Sequence, residues 1–201
     1  MSAQVIPVME QFYTIQGEGA HTGKPAYFIR LGGCDVGCVW CDVKESWDAE
    51  NHPPLSTQEI INKMHTPACA IVVVTGGEPL MYDLNELTGL LKKAGYSTHL
   101  ETSGAYSLSG EWDWICVSPK KFKEVLPEVL EKADELKVVV YHESDLEWAE
   151  QFRPRLKEGC KLFLQPEWSK AEKITPALID YVQANPHWRI SLQTHKYMDI
   201  P

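Results

Sequence analysis

The chain has 201 residues and a formal net charge of −9, a length that suits one domain over 1–201 with roughly 70% of its unfolded surface buried on folding. An acidic balance disfavours nucleic acid and anionic membrane surfaces as partners, and no apolar run reaches the 18 or so residues of a membrane span. The start, MSAQVIPVMEQ, lacks a basic stretch ahead of an apolar one, so no secretory signal and a cytoplasmic location are expected.

AYFIRLG (26–32) is the first apolar, β-rich run. A cysteine-bearing segment follows, and Ser56 then caps a helical pattern over TQEIINKMH (57–65). AIVVVT (70–75) reads as the second strand. LNELTGLLKKAG (84–95) reads as a helix closed by Gly95, with Lys92 and Lys93 on its solvated side. The strands STHLET (97–102) and WICVS (114–118) come next, followed by helical VLPEVLEKA (125–133), strand LKVVV (136–140), helical LEWAEQFRPRL (146–156) and strand KLFLQ (161–165). A helix over TPALIDYVQAN (175–185), entered through Thr175 as cap and Pro176 at its first position, precedes a last strand, RISLQ (189–193). Strands alternating with helices imply a mainly parallel sheet. A closed eightfold barrel takes about 250 residues, so the expected fold is α/β: a partial β/α barrel, open on one side.

In such folds chemistry sits at the carboxyl ends of the strands. GGCDVGCVWCD, TGGEP, ETSG and VSPK fall at the ends of the first four, which points to one shared site. Cys34, Cys38 and Cys41 are spaced C-x3-C-x2-C, and Gly32, Gly33 and Gly37 let their loop turn tightly. Three thiolates can wrap one iron–sulfur cube and leave its fourth iron free of protein. S-adenosylmethionine (SAM) can chelate that iron, and an electron through the cluster then yields a 5′-deoxyadenosyl radical. A zinc site with His52 or His65 as fourth ligand is the competing reading. Cys69, Cys116 and Cys160 stand alone in or beside apolar runs and read as small buried apolar residues.

With Trp40 before its last cysteine, the triplet resembles the signature of the radical SAM superfamily, and TGGEP (75–79) resembles that superfamily's motif for the SAM amino group. FYTIQGEGAHTGKPAYFIRLGGCDVGCVWCDVKESW (12–47) resembles the N-terminal signature of the 7-carboxy-7-deazaguanine synthase family. ETSG (101–104), VSPK (117–120), LQP (164–166) and the ending LQTHKYMDIP (192–201) are similar to that family too. The resemblance implies a radical SAM lyase converting 6-carboxy-5,6,7,8-tetrahydropterin to 7-carboxy-7-deazaguanine with loss of ammonia, toward queuosine and other 7-deazapurines. It implies a [4Fe–4S] cluster on the three cysteines, with chemistry carried by cluster and SAM and no side-chain acid or base. Trp40, Asp42, Gly77, Thr102, Ser103, Ser118, Lys120 and Gln165 would hold SAM. Ile15, Gln16, Gly17, Thr75 and Pro201 would meet the pterin, and Arg30 its carboxylate.

The resemblance further implies a homodimer, a flavodoxin- or ferredoxin-type reductant and Mg2+. The family's Mg2+-binding threonine is Val43 here, which offers no side-chain oxygen to a hard cation. The tail 194–201 is expected to cross the active-site mouth in extended form, anchored by Tyr197 and Ile200, and to present the Pro201 carboxylate to the pterin. Two alternatives stay open: another small radical SAM enzyme such as a glycyl-radical activase, and a non-catalytic iron–sulfur electron carrier.

Overall fold

The computed structural model describes residues 4–64 and 71–201. Nine strands among them form one sheet: β1 (Val5–Ile15), β2 (Pro25–Leu31), β3 (Pro54–Ser56), β4 (Ile71–Gly76), β5 (Ser97–Thr102), β6 (Trp114–Val117), β7 (Glu135–Val140), β8 (Lys161–Pro166) and β9 (Trp188–Ile190). The helices are α1 (Thr57–Asn62), α2 (Asn85–Lys93), α3 (Pro127–Leu130), α4 (Ser144–Glu150), α5 (Ala171–Ala184) and α6 (Thr194–Met198). Strand order is β3-β1-β2-β4-β5-β6-β7-β8-β9. Every neighbouring pair from β2 to β9 is parallel, and β1 and β3 extend one edge antiparallel. The outer strands β3 and β9 do not pair, so the barrel is partial and open, as expected.

Side chains alternate across each strand. Ile29, Leu31, Val72, Val74, Leu136 and Val138 pack into the main core with Leu87, Leu91 and Leu178 of the helices. On the inner face, Ala26, Phe28 and Val73 form a small apolar cluster with Phe12 and Ile71. One step toward the carboxyl ends, that same face carries Arg30, Thr75, Glu101 and Lys137. The interior is therefore apolar low down at β2 and β4, polar at His99 of β5 and Glu135 of β7, and charged at its mouth.

The local signals explain most boundaries. The Ser56 side chain accepts from Glu59 N while the Glu59 carboxylate accepts from Ser56 N, capping α1. Gly95, at φ 85°, closes α2. All seven expected strands form, although RISLQ pairs only as far as Ile190. β1 escapes the alternation pattern because Pro7 and a register shift between Val8 and Glu10 interrupt it. The expected start of α5 is corrected. A turn over Trp168–Lys170, capped by Glu167, runs straight into the helix at Ala171. Thr175 consequently lies inside, donating to the Ala171 carbonyl (2.6 Å), and Pro176 lies beyond the first turn. The tail is corrected as well. It coils into α6 instead of extending, and Tyr197 is two-thirds exposed, resting edge-on against Trp168. No helix of the described residues is long and apolar enough to cross a membrane.

Candidate active site

After β2 the chain turns into the cysteine loop, which is stitched to the end of β4. Gly77 N donates to Leu31 O and Glu78 N to Gly33 O, both at 2.9 Å. A Cβ on Gly76 would lie 2.9 Å from the Leu31 carbonyl carbon. On Gly77 it would lie 2.6 Å from that of Gly33, and each would sit closer still to the oxygen. TGGEP and the cysteine loop fit together only because both positions are glycine. On the loop's other side Cys34 N donates to Trp47 O (3.0 Å), and within it Cys41 N donates to Cys38 O (3.0 Å). Gly33 and Gly37 turn at positive φ as expected. Gly32 does not, and is needed instead because a Cβ there would strike the His52 ring.

The donor set fits a cluster. No three His, Cys, Asp or Glu side chains of the described residues surround one ion position, whereas a cube spreads its thiolates over separate irons. The His52 ring lies 2.8 Å from the Glu45 carbonyl and is engaged there; His65 and Cys69 fall outside the described residues. Burial pushes the Cys34 thiol up, and the Cys38 thiol up to about 11 against the pull of Lys120. A bound metal keeps such sulfurs as thiolates at neutral pH. Cys116 is buried in β6 and Cys160 half-buried ahead of β8, both away from the triplet's cavity.

That cavity, of about 410 Å³, opens over the carboxyl ends of the strands. Every expected site residue lines it. Ile15, Gln16 and Gly17 come from the end of β1 and Arg30 from β2. Cys34, Cys38, Trp40, Cys41 and Asp42 come from the loop. Thr75 and Gly77 follow from β4, and Thr102 and Ser103 from β5. Ser118, Lys120, Gln165 and Pro201 complete the ring. Several already have partners. The Thr102 hydroxyl donates to Glu78 Oε1 (2.5 Å), and Ser103 donates to Oε2 through its backbone N–H (2.8 Å) and its hydroxyl. Lys120 donates to the Ser118 hydroxyl (2.6 Å) above the Trp40 ring. Gln165 Oε1 accepts from Ser191 (2.8 Å), which leaves its amide N–H groups outside that bond. Arg30 donates through Nε to Glu10 (2.7 Å), a pair that leaves its terminal nitrogens unused.

Among the charged and polar side chains that line the cavity, sequence reasoning assigned no role to Glu18, Glu78, Glu101, Lys137, Glu167, Gln193, His195 and Lys196. Lys137 is 5% exposed and forms ion pairs with Glu18 and with Glu101 (3.6 Å). Burial opposes its charge, but Glu101 and Glu18 hold its pKa well above the usual lysine range. Burial alone would raise Glu18, yet Lys137 and Gln193 hold it down at about 2. The available signal was alternation: Glu135, Lys137 and Val139 share one face of β7, so Lys137 had to point into the interior. Val43 offers a Mg2+ ion no side-chain ligand, which leaves Asp42 and a bound carboxylate as the oxygens that could reach one. Asp42 Oδ2 accepts from Gln193 Nε2 (3.2 Å) and Lys196 Nζ (3.1 Å).

Residues 28–143, more than half of the chain, match the Radical SAM superfamily, and the chain belongs to it. It is 55% identical to a 7-carboxy-7-deazaguanine synthase of Flavobacterium psychrophilum, over 98% of this chain and 94% of that one. It is 45% identical to one of Synechocystis, over 96% and 93%. A crystal structure of QueE from Escherichia coli superposes with a TM-score of 0.84 at 34% identity, covering 94% of this chain and 93% of the other. The chain is a member of the 7-carboxy-7-deazaguanine synthase family. Membership makes it a radical SAM enzyme with a [4Fe–4S] cluster and SAM as cofactors, which sets aside the electron carrier and the activase.

Proposed function

We propose that the chain converts 6-carboxy-5,6,7,8-tetrahydropterin to 7-carboxy-7-deazaguanine with loss of ammonia, a step toward queuosine and other 7-deazapurines. One observation carries this reading: blocks scattered from Ile15 to Pro201 converge on a single cavity beside the cysteine loop. The conversion keeps every carbon and releases one nitrogen, so it needs hydrogen abstraction but no net oxidant. When bound, the cluster and SAM supply that abstraction at carbon six of the pterin.

The chain's own residues bind and orient. Cys34, Cys38 and Cys41 hold the cluster. Trp40, Asp42, Gly77, Ser118, Lys120 and Gln165 hold SAM. Thr102 and Ser103, whose hydroxyls are engaged by Glu78, shape the SAM wall and offer backbone groups. Ile15, Gln16, Gly17 and Thr75 face the pterin, and the free edge of the Arg30 guanidinium takes its carboxylate in a charge-assisted pair. Pro201 and α6 close the mouth within a single domain. A homodimer and a flavodoxin- or ferredoxin-type reductant belong to this reading through the sequence resemblance.

The test is anaerobic incubation of the reconstituted protein with SAM, dithionite and the carboxytetrahydropterin. A carboxylated deazapurine and released ammonia are expected by mass spectrometry. Unchanged pterin, with cluster and SAM verified as bound, would overturn the reading.

A further inference from the structure

Lys137 is the one inner-face residue of β7 that joins three separate walls of the cavity. Its ammonium contacts Glu18, on the loop after β1, and lies 3.6 Å from Glu101 Oε2 at the end of β5. The other oxygen of Glu101 accepts from Gln16 Nε2 (2.9 Å), and Gln16 Oε1 accepts from Glu18 N (3.1 Å). Glu18 Oε1 accepts from Gln193 Nε2 (3.0 Å), just ahead of α6. One buried cation thus fixes two carboxylates, and through them the amides on either side.

The orientation of Gln16 follows. Glu101 Oε1 accepts and Glu18 N donates, so the Gln16 amide turns its NH2 group toward β5 and its oxygen toward the backbone of Glu18. Against its burial, Lys137 holds the Glu18 carboxyl down at about 2, and the Lys137 ammonium stands beside Glu101 Oε2. Without it burial would favour the protonated form of Glu18, and a carboxyl O–H would replace an acceptor. A pterin edge presenting an amino group and a ring N–H needs acceptors at fixed positions. A donor in place of one of them leaves a buried N–H unpaired.

We infer that Lys137 is a positioning residue for pterin recognition, keeping Glu18 and Glu101 as paired acceptors and setting the Gln16 amide that faces the substrate. The inference rests on the pterin reading above. It assigns Lys137 no contact with SAM or the cluster.

The experiment compares Lys137→Met with the native enzyme, both reconstituted. Lys137→Met should raise the KM for carboxytetrahydropterin on the order of tenfold or more, while the SAM dissociation constant, iron content and substrate-free SAM cleavage stay within about twofold. A double variant, Lys137→Met with Glu18→Gln, restores the charge balance, so it should fold even where the single variant does not. It should still show the raised KM, because Glu18 is no longer a carboxylate acceptor and Glu101 has lost its partner. An unchanged pterin KM in either variant overturns the inference, as does a fall in kcat alone or a parallel loss of SAM affinity. Native enzyme that leaves pterin unconverted contradicts the proposed function instead, so the two failures are distinguishable.

Discussion

Gly77→Ala isolates the contact that joins the SAM motif to the cysteine loop. The added methyl carbon would start 2.6 Å from the Gly33 carbonyl carbon and 3.0 Å from Cys34 Cβ. Ordinary carbon–carbon contact lies at about 3.5–4.0 Å, so the two loops must separate by roughly 1 Å. Neither obstacle is a flexible side-chain end. Overpacking of this kind costs about 1–3 kcal/mol. The separation also strains the bond from Glu78 N to Gly33 O, worth about 1 kcal/mol. A total of about 2–4 kcal/mol lowers the melting temperature of a chain this size by roughly 4–16 °C. The assay is anaerobic thermal unfolding of the reduced, metal-free protein, followed by iron and sulfide content after reconstitution. The variant should melt lower before any cofactor is present and should hold less iron, because Cys34 moves with the loop. A variant as stable as native, with full iron and only weaker SAM binding, would show that Gly77 serves SAM alone and that the packing argument is wrong.

Cys38→Ser should abolish cluster binding, read by iron content and visible absorbance, while Cys116→Ser and Cys160→Ser leave it unchanged. Activity titrated against Mg2+ after chelator treatment should show no requirement, because Asp42 already faces Lys196 and Val43 offers no oxygen; a steep Mg2+ dependence would refute this. Burial between His21 and Trp114 lowers His99 to about 4. The unfolded chain therefore takes up this proton first as pH falls below about 6.5, and stability drops by up to about 3 kcal/mol by pH 4. His99→Leu should flatten urea midpoints between pH 6.5 and 4.5, and an unaltered slope would refute the assignment. Deleting Ile200 and Pro201 should raise the KM for pterin and leave cluster and SAM binding intact, since Pro201 lines the cavity while the cysteine loop is held by bonds from Cys34 N to Trp47 O and from Cys41 N to Cys38 O.

The strand-end motifs were legible because each is a local statement. A cysteine triplet, a glycine pair or ETSG carries its chemistry within one short stretch, eight residues at most, and the βα alternation places all of them at one end of the sheet. The antiparallel strand β1 was not legible, since its pairing depends on β2 and its own pattern is broken at Pro7. Nor was α6. Thr194 donates to the Gly17 carbonyl from both its backbone N–H and its hydroxyl, and this long-range anchor starts the helix. Lys137 is the most instructive miss. Its neighbours Leu136 and Val138 are buried against the helices, so in a strand with both faces covered a charged residue on the opposite face has nowhere to go but the interior. Alternation could have given its direction. It could not have given its partners, because Glu18 and Glu101 lie on other strands' ends and meet it only when the sheet curls. A buried cation in an apolar strand is costly unless it is paired. The sequence therefore required acidic partners for Lys137 somewhere at the barrel mouth, and only the fold could say that they flank the glutamine expected to read the pterin.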